Sequence, residues 1–234
     1  MEEIDTLVKD TIQVAKKVTE EATEKTLSII ELITSGGIGG NLVMGALGIL
    51  SIFAVYILIE RYSAIKKASQ EDESFLKSIQ NFVEAKDIEA AKTLCKNTDS
   101  PISRMIEKGV NRIDKPMTDI SAAIENQGKL EIFKMENNLA NLATISGAAP
   151  MIGFLGTVIG MIVAFHEMAS AGGNIDVAML SQGIYTAMVT TVAGLVVGII
   201  AFIAYNYLVS KVDKVVFMLE AKTTEFLDLL HHNE

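Results

Sequence analysis

The chain has one cysteine, three prolines and three histidines among 234 residues. The single Cys95 excludes an intrachain disulfide and any metal cage built from cysteines. Basic residues are the minority: 20 Lys and Arg stand against 29 Asp and Glu, a formal net charge of −9. A nucleic-acid binder needs basic clusters to neutralise phosphates, so that class is set aside. Catalytic signatures are missing as well. There is no His-Glu-x-x-His zinc motif, no nucleophile elbow, no phosphate-binding loop and no dinucleotide fingerprint. His231 and His232 lie in the tail, and His166 stands beside Glu167, where it reads as an interface residue. No pair of carboxylates is placed for acid–base work in the long charge-free stretches. The expectation is therefore not an enzyme, with no catalytic residue, no metal and no cofactor.

Charge itself is absent from long stretches. No Asp, Glu, Lys or Arg occurs in the 28 residues between Glu31 and Glu60, the 30 between Glu136 and Glu167, or the 34 between Asp176 and Lys211. A membrane-spanning helix needs about 20 mainly apolar residues. A core helix of a water-soluble protein carries charge on its wet face over such lengths. An all-α integral membrane protein is expected, with transmembrane helices at 38–60, 139–167 and 179–210. The second and third are long enough to tilt or to project beyond the bilayer.

Lysine and arginine placement sets the expected orientation. Residues 61–138 carry 13 of them, with Arg61, Lys66 and Lys67 just after the first span, and the tail opens with Lys211 and Lys214. The turn after the second span carries none. Positive residues mark the cytoplasmic side. So the N-terminus and the turn at 168–178 are expected outside, and the 61–138 region and the tail at 211–234 inside. The N-terminal stretch has no basic run before an apolar one, so it does not read as a cleaved signal peptide. Residues 1–37 read as an amphipathic helix followed by a hinge. Ile4, Leu7, Val8, Ile12, Ala15 and Val18 recur at helical spacing. That helix either lies on the outer membrane surface or packs on a neighbouring subunit. Glycines 36, 37, 39 and 40 disfavour a helix and mark the hinge. Residues 61–138 read as helical. Ser100-Pro101 has the form of a helix start, and Lys115-Pro116 an interruption with Thr118 as the next cap. From Asp119 a single long helix is expected to run into the second span and kink at Pro150. The tail continues the third span.

Small residues dominate the second and third spans. Gly153, Gly156 and Gly160 lie in one; Gly183, Ala187, Gly194 and Gly198 form a stripe in the other. Such stripes admit another helix at close range. Hydroxyls lie on or near them: Thr157 in the second span, and Thr186, Thr190 and Thr191 in the third. Each can simply return its proton to a carbonyl one turn back. Thr157 and Thr190/Thr191 also fall near the middle of their helices, where they can share a polar track. A proton relay through a membrane uses Asp, Glu or His. The cores of these spans offer none. If this chain conducts protons, the titrating carboxylate comes from another chain.

The run Leu142-Ala-Thr-Ile-Ser-Gly-Ala-Ala-Pro-Met-Ile-Gly-Phe-Leu-Gly-Thr-Val-Ile-Gly-Met-Ile-Val-Ala-Phe165 closely resembles the second-span signature of the ExbB/TolQ family, distant relatives of the flagellar stator protein MotA. Gly183-Ile-Tyr-Thr-Ala-Met-Val-Thr-Thr-Val-Ala-Gly-Leu195 resembles its third-span signature, and Glu60-Arg61 the pair that closes its first span, as an interface anchor. The similarity runs from about residue 39 to residue 215 and is most ExbB-like. It implies a multi-pass protein of the bacterial inner membrane that forms a homopentamer around a central pore. Inside the pore stand single-span ExbD/TolR-like helices, each with one intramembrane Asp that carries protons. A TonB-like protein receives the work, which energises outer-membrane transport. Thr157 and Thr191 match the family's threonines and would hydrogen-bond the partner's Asp or its water, with Thr190, Thr186 and Tyr185 along the same pathway. Some relatives have Glu where this chain has Thr186; in its place Thr186 and Tyr185 would order water along that span. A TolQ-like role, or an oligomeric membrane scaffold without conduction, are the alternatives. A MotA-like stator would have four spans.

Overall fold

The computed structural model describes residues 37–69, 73–170 and 177–232. The expected amphipathic helix, the start of the glycine segment and the outer turn lie outside these. Among the described residues all regular structure is helical. Seven helices follow in order: α1 Gly37–Ala68, α2 Glu73–Glu84, α3 Ile88–Asn97, α4 Pro101–Val110, α5 Met117–Glu136, α6 Leu139–Ser170 and α7 Val177–His232. Among the described residues three stretches are long and apolar enough to cross a membrane; they contain α1, α6 and α7.

The chain divides into two compact units, one of Met1–Ala46 with Gly153–Ala193 and one of Leu47–Ile152 with Gly194–Glu234. In the first, described from residue 37, α1 opens within the glycines that the sequence marks as a hinge: Gly37, Gly39 and Gly40 are helical. Non-helical backbone in lipid would leave amide and carbonyl groups unbonded, a larger cost than glycine's poor helix propensity. Gly39 also admits Ile159, whose Cγ2 would lie 3.0 Å from an added Cβ.

The second unit shows why its short helices form. Buried Phe75, Ile79 and Val83 recur every four residues on α2, and Ala91 and Cys95 do so on α3. Asp87 caps α3, its carboxylate accepting from the Ala90 amide at 3.1 Å. Ser100 caps α4 with Pro101 in the first turn, as the sequence indicates. Helices α4 and α5 pack together, with Met105 and Ile106 on one and Ile120, Ile124 and Gly128 on the other buried. A Cβ on Gly109 would come within 2.7 Å of Ile124 and 3.0 Å of Phe226. Along α7, Val212, Val215, Leu219, Phe226 and Leu230 are buried at helical spacing.

Two expectations are corrected here. The helix from Asp119 is not continuous: α5 stops at Glu136, Asn137 is extended, and Asn138 sits at φ 64 before α6 begins. Asparagine tolerates this left-handed conformation better than most side chains, so two Asn in a row make an effective break. Pro150 lies inside the continuous α6. Thr118 is not the cap of α5, which starts at Met117 after Pro116 with no side-chain cap.

Ion pairs tie the second unit together. Glu131, with a side chain 2% exposed, accepts from Arg104 at 2.7 Å, Lys134 at 2.8 Å and Gln127 at 2.8 Å. Burial raises the Glu131 pKa, but the bonds from Arg104 and Lys134 outweigh it and hold the carboxyl below its usual range. Arg104 also reaches Asp99, which Lys67 chiefly holds down in pKa. The Arg61 guanidinium is buried; it pairs with Glu60 and donates to the Lys134 carbonyl at 2.9 Å. That carbonyl belongs to the last turn of α5, where helix geometry leaves it without a backbone donor. Cys95 is buried, and desolvation, with help from Glu107, pushes its thiol up to about 12.

Candidate functional site

Three threonine hydroxyls converge in the first unit. The convergence starts from side-chain size. A Cβ on Gly156 would lie 2.5 Å from Thr190 Oγ1 and 3.0 Å from Val43, one on Gly160 2.8 Å from the Ala187 Cβ, and one on Gly183 2.5 Å from the Ala164 Cβ. Helices α6 and α7 therefore touch along a line where no larger residue fits. Lipid offers no hydrophobic drive for such an approach, so contact depends on close packing and on hydrogen bonds across the seam.

Those bonds are present. Thr157 Oγ1, on α6, donates to the Ala187 carbonyl on α7 at 2.9 Å and bonds the Thr191 hydroxyl. Thr190 Oγ1 reaches its own Ala187 carbonyl at 2.7 Å and the Gly153 carbonyl on α6 at 3.2 Å. Thr191 Oγ1 reaches the same Gly153 carbonyl at 3.2 Å, and Thr157 lies 3.5 Å from it. Thr190 is buried, 2% exposed, while Thr157 and Thr191 are half-buried. The cluster is neutral. It can accept from or donate to a carboxylate or a water, but it holds no group that titrates near neutral pH.

The other residues singled out in the sequence fall elsewhere. Among the described residues Thr186 bonds only within its own helix, to the carbonyls of Gln182 and Gly183, both at 3.1 Å. Tyr185 is exposed and is not among the cluster's partners. Gly153 is buried and serves through its carbonyl as well as its small size. In the second unit, Gly194 is buried and Gly198 packs on Pro150: a Cβ there would meet the proline ring at 2.6 Å and the Ser146 carbonyl at 3.0 Å. Pro150 has no amide to offer that carbonyl, so close approach by Gly198 costs α6 no hydrogen bond. Glu60 and Arg61 pair with each other, and Arg61 also with Lys134, as described above. A groove of about 570 Å³ lies in the second unit beside Lys67, Phe75, Asp99 and Lys222, and none of the hydroxyl cluster lines it.

Sequence reasoning did not find the acceptors. The carbonyls of Gly153 and Ala187 carry the network, and no residue type marks a carbonyl as special. Their only trace is that both residues are small and lie on the seam.

The architecture defines a multi-pass helical membrane protein with a polar seam between two of its spans. The chain belongs to the MotA/TolQ/ExbB proton channel family, whose model matches residues 97–221. It is 27% identical over 187 residues to a biopolymer transport protein ExbB homolog of Methanothermobacter thermautotrophicus, covering 80% of this chain and 64% of that protein. It is 24% identical over 215 residues to the Tol-Pal system protein TolQ of Pseudomonas aeruginosa, covering 87% and 93%. An ExbB-like biopolymer transport protein of Synechocystis is 30% identical over 179 residues, covering 73% and 68%. The chain thus spans just under two thirds of the length of the Methanothermobacter relative.

Proposed function

We propose that this protein is the channel and motor subunit of an inner-membrane complex that converts the proton motive force into work on a TonB-dependent outer-membrane transport system. Five copies surround a pore walled by α6 and α7, with α1 outside. The N-terminus and the turn at 168–178 face the periplasm. Residues 61–138 and 211–234 face the cytoplasm. Single-span ExbD/TolR-like helices stand in the pore, and each brings one Asp. Thr157 and Thr191 hydrogen-bond that Asp, and its protonation state sets how the wall grips it. A TonB-like protein takes up the resulting motion. One charge crossing about 100 mV releases roughly 2.3 kcal/mol, so several protons can move a bistable helix packing.

The observation that carries this reading is the pairing of a hydroxyl cluster with charge-free spans. Thr157, Thr190 and Thr191 meet across the helix seam. No carboxylate lies between Glu136 and Glu167 or between Asp176 and Lys211. The wall can bind a carboxylate and lacks one of its own. The test is proton flux into vesicles. The purified chain alone should pass few protons, and the complex with its co-purified partner should pass many. Brisk flux from the chain alone would sink the proposal. Native mass spectrometry should show a pentamer; a clean monomer or dimer would argue against the pore.

A second reading is a TolQ-like subunit of a Tol-Pal envelope system. The extent of the Pseudomonas TolQ match, 93% of that protein, favours it. Sequencing the co-purified partner separates the two. A scaffold that does not conduct predicts instead that Thr157→Val and Thr191→Val leave function intact.

A further inference from the structure

We propose that Thr190 is a positioning residue that decides whether Thr157 or Thr191 turns its proton toward a guest carboxylate. This rests on the reading above, in which those two hydroxyls meet the partner's Asp. The argument is a count of donors and lone pairs. Within uninterrupted helices the Gly153 and Ala187 carbonyls each already take one backbone amide, from the residue four further on. Each then has one lone pair left. Three hydroxyl protons compete for those two places and for the bond between Thr157 and Thr191.

Two arrangements fill both carbonyls, each with two of the four close hydroxyl–carbonyl contacts. In one, Thr190 donates to Ala187 at 2.7 Å and Thr191 to Gly153 at 3.2 Å. Both carbonyls are then filled. Thr157 can give its proton only to Thr191 or to a guest. In the other, Thr190 donates to Gly153 at 3.2 Å and Thr157 to Ala187 at 2.9 Å. Thr191 then holds the free proton, for Thr157 or for the guest. All three hydroxyls turn between the two arrangements; the carbonyl that Thr190 takes leaves the other to Thr157 or Thr191 and so sets the polarity of the Thr157–Thr191 bond. Thr190 is suited to this because it is 2% exposed and, among the described residues, its hydroxyl bonds only the two carbonyls of the cluster. Hydroxyl rotors need no heavy-atom movement, so the switch fits a tightly packed seam.

Removing the Thr190 hydroxyl frees both carbonyls. Thr157 then settles on Ala187 and Thr191 on Gly153, and neither proton is released. The test uses the complex with its co-purified partner in vesicles under an imposed proton gradient, read with an internal pH dye. Thr190→Val, which keeps the branched shape, should cut flux about five-fold, the order expected for one hydrogen bond. Thr190→Ser, which keeps the hydroxyl and loses the methyl, should stay near wild type. A role in packing alone would reverse that order. If Thr190→Val does not assemble, Thr190→Ala replaces it, with the same expected loss. Wild-type flux from Thr190→Val while Thr157→Val and Thr191→Val are impaired would overturn the inference and leave the wider reading standing. Equal loss in Thr190→Ser and Thr190→Val would overturn it too. Wild-type flux from Thr157→Val and Thr191→Val would remove the reading itself, and the inference with it.

Discussion

The two units solve the same problem with different chemistry. Both bury polar side chains. The first does so with neutral hydroxyls and backbone carbonyls, centred on Gly153. The second uses charge, centred on Glu131 with Arg104 and Lys134. The difference follows from what each arrangement must withstand. A charge at bilayer depth is costly, so a structural contact there is better made by neutral groups. Near water an ion pair can be satisfied, but once one partner is buried, losing the other leaves an uncompensated charge. The hydroxyl seam can therefore rearrange, while the ionic cluster resists change.

The largest expected effect tests the ionic cluster. Arg104→Leu leaves the buried Glu131 carboxylate without its closest cation and should cost about 3 kcal/mol, seen as a drop in the thermal midpoint in detergent. The same carboxylate gives a pH signature. Its folded pKa is depressed, so its contribution is fully present above the unfolded value, about 4.3, and is lost as pH falls through the lower folded value. Thermal midpoints of the wild type should fall with acid over that window, and those of Glu131→Leu should fall less. An equal acid loss in both would show that the cluster does not carry it.

The seam should respond to volume next. Gly156→Ala places a methyl 2.5 Å from Thr190 Oγ1 and should cost about 2 kcal/mol by overpacking. Gly147→Ala, with nothing within 4 Å of the new Cβ, should be neutral or gain a little from helix propensity. Equal effects from the two, measured by thermal shift of the purified assembly, would argue that the helices do not touch at Gly156.

Thr157→Val should move stability by only about 0.6 kcal/mol, a typical worth for one hydrogen bond between membrane helices. Its effect on proton-driven work should be far larger than that figure suggests. A pair of variants in which Arg104→Leu lowers the thermal midpoint and Thr157→Val only silences the protein would sharpen the contrast between the units. At the small end stands Cys95. Its thiol is buried and pushed up to about 12. Iodoacetamide at pH 8 should leave it unlabelled in the folded protein and label it after denaturation; rapid labelling in the native state would show that α3 opens.

Much of the architecture was legible in the residues. Charge-free stretches located the three apolar helices, because lipid excludes charge from any helix that faces it. Ser100-Pro101 announced α4, because the cap is a local hydrogen bond between neighbours. Other features misled for an equally physical reason. Gly37–Gly40 read as a hinge on propensity measured in water, and they are helical here. Thr118 read as a cap on composition, and the helix starts one residue before it.

The residues by themselves determined that this is a helical protein with three membrane-length apolar stretches, and which threonines could matter. Both follow from composition along the chain, where burial and charge act on each segment separately. Only the tertiary structure decided that Thr157, Thr190 and Thr191 share the carbonyls of Gly153 and Ala187, that Thr186 does not join them, and that Arg61 reaches the carbonyl of Lys134. Such contacts depend on the register between helices far apart in the chain. That register is set by the packing of many side chains at once, so no single segment encodes it.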